Sequence, residues 1–340
     1  MTAPAVATDS VRADYLDRLG ASDEEGAVAV ALAALDEGLD VEAVLLDVVA
    51  EAQREVGERW AAGAWTVVQE HVATHISERV VSAVARHRPP PRPSGIGSIS
   101  VACLDGEWHG LPARLLAEVL ARYGWAVTFL GSSVPAGQMA AHLHEAGPDV
   151  VAVSSSLPSR LPAARRMVEA CHASGTPVLA GGAAFGPDGR WSRAVGADGW
   201  APDARAAAAL LAEFSFRDDD GAARVDDSSR DEQTVLQARR GELVAGMTTA
   251  LRGTSVDEQL HDDLGHLVDF LAAAVYVDDP ALLANFLRWV GTVAVPGGLT
   301  RDELAPALDD LAERLRDSPR TVALLRSADV REACTPEGAA

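Results

Sequence analysis

The strongest constraint on the fold is an alternation of short β-type runs with helical stretches after residue 97. Two of the stretches, Leu111 to Tyr123 and Pro158 to Ala173, carry apolar residues at helical spacing. The predicted strands are Ser98 to Leu104, Trp125 to Leu130, Val150 to Ser156 and Pro177 to Ala180. Strands joined by helices make right-handed crossovers, which predicts a parallel sheet covered on both faces. Such a sheet binds ligands at the carboxyl ends of its strands.

Helical regions flank this sheet, so the predicted fold class is α/β plus all-α. Residues from about Val11 to His87 have the spacing of a small helical bundle, and the proline-rich stretch 88–97 ends it because proline supplies no amide donor. After the sheet, an acidic stretch predicts a solvated connector and apolar periodicity resumes. The predicted domains are a helical bundle at 1–90, a sheet domain at 97–215, an acidic linker at 216–232 and a helical domain at 233–330.

The charge and the cysteine pattern exclude several functional classes. The chain has 29 basic and 50 acidic side chains and a net charge of −21, which repels the phosphate backbone and argues against direct DNA binding. Cys103, Cys171 and Cys334 lie far apart, as expected of a protein in a reducing compartment. We find no signal-peptide pattern and no apolar run near the roughly 20 residues of a membrane span, so we expect a cytoplasmic protein.

A candidate site follows the predicted strand ends. His109 comes two positions after Glu107 in the loop behind the first strand, so the carboxylate can fix one ring nitrogen while the other binds a metal. A loop histidine is more often simply solvated. Small residues end two further strands, at Ser155 to Leu157 and at Gly181 and Gly182, where a bulky ligand can approach the backbone. Tight strand-to-helix turns use the same residues.

Together these segments resemble the cobalamin-binding Rossmann-like domain of corrinoid proteins, which carries Asp/Glu-x-His-x-x-Gly, then Ser-x-Leu, then Gly-Gly. The resemblance implies that His109 is the lower axial ligand of cobalt, displacing the dimethylbenzimidazole base of the cofactor. It also implies that Ser155 and the pair Gly181 and Gly182 line the slot for the displaced nucleotide tail. Pro112 stands where the pattern has glycine, which puts the shape of the loop in doubt.

The helical bundle adds a second motif. Trp60, followed after nine residues by Glu70 and His71, resembles the Trp-x9-Glu-His pattern of cobalamin-dependent photoreceptors of the CarH/LitR type. The resemblance covers roughly Val41 to Asp203 and implies a lid that holds adenosylcobalamin in the dark. An indole can cover the adenosyl group, and a carboxylate and an imidazole can bond its ribose and adenine. A core tryptophan beside a surface Glu-His pair is the plainer interpretation. His71 and His75 would also suit a metal, but lack a third ligand nearby.

In that photoreceptor family, visible light breaks the cobalt–carbon bond, the lid moves and the domains associate differently. Such a protein needs no catalytic acid or base, so it would not be an enzyme. The relatives carry a histidine where this chain has Ala61, and they usually begin with a DNA-binding domain. We therefore expect the output in light-dependent homo-oligomer assembly, in a signalling partner or in the carboxyl-terminal domain. The alternatives are a corrinoid carrier of a methyltransferase system and a stress-signalling scaffold that binds only protein.

The carboxyl-terminal helices resemble globin-like sensor domains, including those of photocobilins, which pair cobalamin with biliverdin. Asp279 and Pro280 predict a helix start, and Leu282, Phe286 and Trp289 follow on one face. This spacing also describes an ordinary core helix. If this domain binds biliverdin, we expect imidazole, phenol, guanidinium and indole groups to contact it. The residues that supply these groups are His261, His266, Tyr276, Arg288 and Trp289.

Overall fold

A computed structural model describes residues 8–213, 227–253, 258–293 and 298–335. These residues form two compact units. The first comprises 8–156, 167–182 and 197–213, and the second comprises 157–166, 183–196 and the described residues from 227 onward. Two segments inside the predicted sheet domain at 97–215 therefore belong with the carboxyl-terminal helices.

The first unit begins with the predicted helical bundle. A continuous helical segment in its middle changes to π-helical geometry at Val44–Ala50, and Thr66 opens the last helix with a reciprocal capping box to Gln69. The helices are α1 (Thr8–Gly20), α2 (Glu24–Asp36), α3 (Val41–Ala43), α4 (Glu51–Ala61) and α5 (Val67–His87).

The sheet has five parallel strands in the order β2-β1-β3-β4-β5. The strands are β1 (Ser98–Leu104), β2 (Ala126–Val134), β3 (Val150–Ser154), β4 (Val178–Gly181) and β5 (Gly199–Ala201). One helix follows each strand in chain order, namely α6 (Gly110–Arg122), α7 (Ala136–Ala146), α8 (Leu161–Ala173), α9 (Arg190–Ala194) and α10 (Ala204–Glu213).

This topology confirms the predicted parallel sheet, with two differences. β2 continues past the predicted Leu130 to Val134, through a register shift against β1, because the added polar residues keep pairing where an apolar pattern stops. The short strand β5 was missed because three residues are too few to show a periodicity.

The bundle and the sheet share one helix. The inner face of α6 packs its Ala113, Ala117 and Leu120 with the apolar side chains of the sheet. Its Leu111 and Leu115 instead belong to the core of the bundle. A displacement of the bundle therefore acts on the helix that begins directly after His109.

The second unit consists mainly of helices, and whether it is globin-like stays a prediction. Trp191 Nε1, in the segment behind β4, donates to Asp279 Oδ2 at 2.8 Å, while the other oxygen of Asp279 caps the start of a helix. The helices are α11 (Asp227–Arg252), α12 (Glu258–Val277), α13 (Pro280–Val290), α14 (Arg301–Arg314), α15 (Pro319–Leu325) and α16 (Ala328–Ala333).

The predicted linker at 216–232 is only partly described. Its residues up to 226 lie outside the described residues, and α11 already begins at Asp227. The three cysteines are buried and form no disulfide. Among the helices in the described ranges, none combines the length and the apolar character that a membrane crossing requires.

Candidate functional site

Glu107 and His109 form the centre of the candidate site, in the loop between β1 and α6. The loop is held by the end of β2, because Gly106 N donates to Ser133 Oγ at 3.0 Å and Ser133 N donates to Glu107 O at 2.9 Å. Ser133 has a φ of 52°, a left-handed conformation that is uncommon for a residue with a side chain. Nothing in the residue pattern predicted a role for Ser133.

The Glu107 side chain has no exposed surface and bonds groups from two strand ends. Oε1 accepts from His109 N at 3.0 Å and pairs with His109 Nδ1 at 2.5 Å. Oε2 accepts from Ser155 Oγ at 2.9 Å and from Ser156 N at 2.7 Å. These bonds join the loop behind β1 to the end of β3.

These hydrogen bonds keep the buried carboxyl charged. Burial opposes ionisation, but the bonds from His109, the charge of its imidazole and the amide of Ser156 outweigh that penalty. Together they lower the pKa of Glu107 from 4.5 to about 2. Because Nδ1 of His109 faces this carboxylate, Nε2 is the ring nitrogen with which His109 can bind a metal.

The position of Pro112 resolves the doubt about the loop. It lies in the first turn of α6, whose amide groups have no partner within a helix, so a proline costs no hydrogen bond there. His109 precedes this helix directly, and its side chain is 56% exposed. The departure from glycine thus leaves the position of the imidazole intact.

Gly182 is the other residue with a strict local requirement. Its φ of 97° is left-handed, and a Cβ built on it would lie 2.3 Å from the carbonyl oxygen of Ser155. Only glycine permits this close approach of the turn behind β4 to the end of β3. The predicted Gly-Gly and Ser-x-Leu segments therefore meet, with Ser155 N donating to Gly181 O at 3.1 Å.

A small cavity of about 100 Å³ opens beside the glycines. Its walls come from the start of α6, the ends of β3 and β4, and the turn into α10, and they are mostly apolar. Ser154, not the predicted Ser155, lines it on β3, because neighbouring residues of a strand face opposite sides and Ser155 Oγ faces Glu107. The lining residues are Pro112, Leu116, Val153, Ser154, Leu179, Ala180, Gly181, Gly182, Ala201, Pro202, Asp203, Ala204 and Ala207.

The three residues predicted in the bundle are Trp60 in α4 and Glu70 and His71 in α5. We call residues 60–71, which include the connection between these helices, the lid. Gln53 of α4 bonds both Thr74 and Ser77 of α5, so these two helices pack against each other. Trp60 lies in the last turn of α4, and Glu70 and His71 lie near the start of α5. Trp60 is half-buried. Oε2 of Glu70 pairs with Nδ1 of His71 at 2.6 Å. The structure thus pairs Glu70 with His71 in α5 and places Trp60 at the end of the preceding helix.

Large apolar side chains are exposed beside both groups of residues. Val67 and Val68 open α5 and are 49% and 65% exposed, and Trp108, next to His109, is 75% exposed. Exposed apolar surface marks places where a ligand or partner packs. Exposed apolar side chains therefore lie next to His109 and at the start of α5, where they fit contact with a large, partly apolar ligand.

The predicted bilin contacts occupy different environments in the second unit. His261, His266, Arg288 and Trp289 are exposed, whereas Tyr276 is buried at 4% exposure. The ring of Trp289 lies 6.1 Å from that of Phe286, which stacks on Phe270 at 4.0 Å. Neither phenylalanine was predicted as part of a site. Tyr276 thus differs from the other four, which face solvent.

The imidazole of His109 is the candidate metal ligand of this site. In the part of the chain that the structure describes, no three histidine, cysteine, aspartate or glutamate side chains are arranged to hold a metal ion together. A single imidazole suits a cobalt ion that a corrin ring already binds through four nitrogens. The oriented His109, the cavity and the exposed apolar residues therefore fit a cobalamin.

Family models agree with this assignment. Residues 97–209 match a model described as a B12 binding domain. Residues 11–85, which form the helical bundle, match a second model with the same description. Both parts of the candidate site, the loop of His109 and the lid, lie within the matched residues.

Relatives come from two functional groups. The chain is 33% identical over 115 residues to the HTH-type transcriptional repressor CarH of Myxococcus xanthus, which covers 32% of this chain and 36% of the repressor. It is 23% identical over 190 residues to a corrinoid protein of Desulfitobacterium hafniense (strain Y51), which covers 54% of this chain and 87% of that protein. The chain thus spans about a third of the repressor's length.

A solved structure of another protein has a similar fold over 61% of this chain. The monomethylamine corrinoid protein of Methanosarcina barkeri superposes with a TM-score of 0.54 at 16% identity. The match covers 61% of this chain and 99% of that protein. At this identity the comparison supports the fold alone.

The lowered pKa of Glu107 predicts a pH-dependent contribution to stability. A depressed carboxyl pKa stabilises the folded state above pH 4.5, and this contribution is lost as the pH falls toward about 2. Urea unfolding of the apoprotein should show Glu107→Gln less stable than wild type by up to about 3 kcal/mol at neutral pH. That difference should shrink between pH 4.5 and 2.

The matched control is Glu145→Gln, the same chemical change at an exposed position of α7. It should differ little from wild type at every pH. A difference for Glu107→Gln that stays constant with pH would contradict the assignment.

Proposed function

We propose that this chain is a light sensor that holds adenosylcobalamin between His109 and the lid, because residues 11–85 and 97–209 match models of B12 binding domains. The single observation that supports the proposal is that Trp60 ends α4 while the bonded pair Glu70 and His71 lies near the start of α5, the next helix, which packs against α4. When bound, adenosylcobalamin supplies a cobalt–carbon bond that visible light cleaves.

Below the cofactor, the chain's task is to present one imidazole. Glu107 holds Nδ1 of His109 and so presents Nε2 to cobalt. The same carboxylate accepts from Ser155 and Ser156, so the imidazole is oriented by a group that is itself fixed. The cavity beside Gly181 and Gly182 accepts part of the displaced nucleotide tail.

Above the cofactor, the lid supplies one apolar surface and two polar groups. The half-buried indole of Trp60 offers a flat apolar face to the adenosyl group. Glu70 accepts hydrogen bonds from ribose hydroxyls, and His71 bonds the adenine. The three contacts require a bulky upper ligand, which is why we assign adenosylcobalamin and not a cobalamin with a small one.

Without an adenosyl group, Trp60, Glu70 and His71 would make none of these contacts, and the lid would be free to move. Because the bundle packs on Leu111 and Leu115 of α6, this movement reaches the helix that begins after His109. Ala61 lacks the imidazole that relatives of the photoreceptor type place beside the tryptophan, so the lid gives cobalt no new ligand there. The output we propose is a change in homo-oligomer assembly or in contact with a signalling protein, without an enzymatic reaction.

A corrinoid carrier of a methyltransferase system is the second candidate. It is favoured by the match to a corrinoid protein over 190 residues, which cover 87% of that protein's length. A carrier must open its lid to a methyl donor, whereas the lid of a sensor retains its upper ligand. The two functions therefore differ in what Trp60 does.

His109→Ala tests the lower ligand. Removing the imidazole should abolish the absorption spectrum of histidine-bound, base-off cobalamin and weaken binding. The measurement is a dark titration of the apoprotein with adenosylcobalamin, followed by its absorption. His144→Ala, at an exposed position of α7, is the matched control and should behave as wild type. A wild-type spectrum for His109→Ala would contradict the assignment.

Illumination separates the two candidates. Green light should change both the absorption and the elution volume of the protein loaded with adenosylcobalamin. Protein loaded with hydroxocobalamin, which lacks the adenosyl group, is the control and should not respond. An unchanged spectrum and elution volume, with methyl transfer that persists in Trp60→Ala, would establish the carrier instead.

For the second unit we propose biliverdin as an additional chromophore, supported by the exposed Trp289 and Arg288 on α13. Titration of the apoprotein with biliverdin should give a saturable shift of its absorption, weakened by Trp289→Ala and Arg288→Ala. Arg326→Ala, another exposed arginine of the same unit, should leave the titration unchanged. Absence of any saturable shift with wild type would exclude the bilin.

A further inference from the structure

A line of polar side chains runs through the apolar core of the bundle. Tyr15 of α1 and Ser77 of α5 have no exposed surface and are surrounded by buried alanine, valine and isoleucine side chains. Buried polar groups are costly unless they are hydrogen-bonded, so such a line inside a core requires a reason. The line ends at Glu70 of the lid.

Each member of this line is bonded to the next. Tyr15 OH lies 3.0 Å from Ser77 Oγ, and Ser77 Oγ donates to Gln53 Oε1 at 3.1 Å. Gln53 Nε2 donates to Thr74 Oγ1 at 2.5 Å, and Thr74 Oγ1 donates to Glu70 Oε1 at 2.9 Å. We call these five residues the lid network. It ties α1, α4 and α5 together by side chains alone.

The charge of Glu70 fixes the direction of every bond. An ionised carboxylate only accepts, so Thr74 must give it its single hydroxyl proton. Thr74 Oγ1 must then accept from the amide nitrogen of Gln53, which turns the amide oxygen toward Ser77. Ser77 gives its proton to that oxygen, and Tyr15 therefore donates to Ser77. All donors in the lid network point toward the carboxylate of Glu70.

This arrangement makes Glu70 a preoriented acceptor. Thr74 bonds one of its oxygens and His71 bonds the other. A carboxylate has about four acceptor positions, so capacity for ribose hydroxyls remains on both oxygens. We infer that Thr74 and Gln53 are positioning residues through which the chain selects cobalamins by their upper ligand. The inference rests on the proposed function, because it gives Glu70 the role of contacting the adenosyl group.

The test compares two cobalamins in dark titrations of the apoprotein. Thr74→Val keeps the shape of the side chain but removes its hydroxyl. It should raise the Kd for adenosylcobalamin about tenfold and leave the Kd for hydroxocobalamin unchanged. Thr74→Ser restores the hydroxyl and should restore the preference. Gln53→Met, which interrupts the lid network one bond earlier, should lower the preference in the same direction.

Two further measurements separate positioning from a structural role. Thermal unfolding of each apoprotein reports on the bundle, and Ser82→Ala is the matched control, since Ser82 bonds only the carbonyl of Glu78 in the same helix among the contacts described. The inference would be overturned if a variant lost affinity equally for both cobalamins. It would also be overturned if Thr74→Val and Gln53→Met both kept the wild-type affinity for adenosylcobalamin.

Glu70→Ala distinguishes this inference from the proposed function. If Glu70→Ala leaves the preference for adenosylcobalamin intact, the proposed role of the lid fails, and the inference with it. If Glu70→Ala removes the preference but Thr74→Val and Gln53→Met keep it, the lid role stands and only the positioning role is wrong.

Discussion

A carboxylate that is removed from water and stays charged determines the geometry of the candidate site. Burial of Glu107 would favour its neutral form, yet donors from the loop behind β1 and from the end of β3 hold it ionised. Each of those donors would in turn lose its acceptor without it. The orientation of His109, the path of the loop and the approach of β3 therefore depend on one another, and this mutual dependence is what makes a single imidazole a defined ligand.

In the lid, which we propose contacts the other side of the cofactor, a second carboxylate is held by the same kinds of hydrogen bond. Glu70, like Glu107, pairs with Nδ1 of a histidine and accepts from a hydroxyl. The difference is exposure, because Glu70 stands at the edge of the bundle and its side chain keeps 23% of its surface in contact with solvent. Because the Glu70 carboxylate is bonded within the protein and also partly exposed, it can exchange hydrogen bonds to water for hydrogen bonds to a ligand. A fully enclosed group such as Glu107 can only be retained or lost.

The sequence predicted the parts of this structure that repeat at a regular period or lie close in the chain. The strands and the bundle follow from apolar spacing, and the pairing of Glu107 with His109 follows from their separation of two residues. Partners from distant segments could not be read in this way. The backbone amide of Ser156 bonds Glu107, Ser133 at the end of β2 bonds Gly106, and Gln53 of α4 bonds Thr74 of α5. Only the folded chain brings these partners together. Glu70 was predicted, but the direction of the bonds behind it was not.

The composition of the second unit affects how this protein can be divided. The carboxyl-terminal helices pack with segments 157–166 and 183–196, which interrupt the sequence of the sheet, and Asp279 fastens one of them through Trp191. Cleavage of the chain between residues 213 and 227 would consequently leave two fragments that do not correspond to the two units. The carboxyl-terminal fragment would lack part of its own core, so it could not be grafted onto another protein as a self-contained module. Each unit consists of several separate segments of the chain, so no single cut in the chain separates one unit from the other.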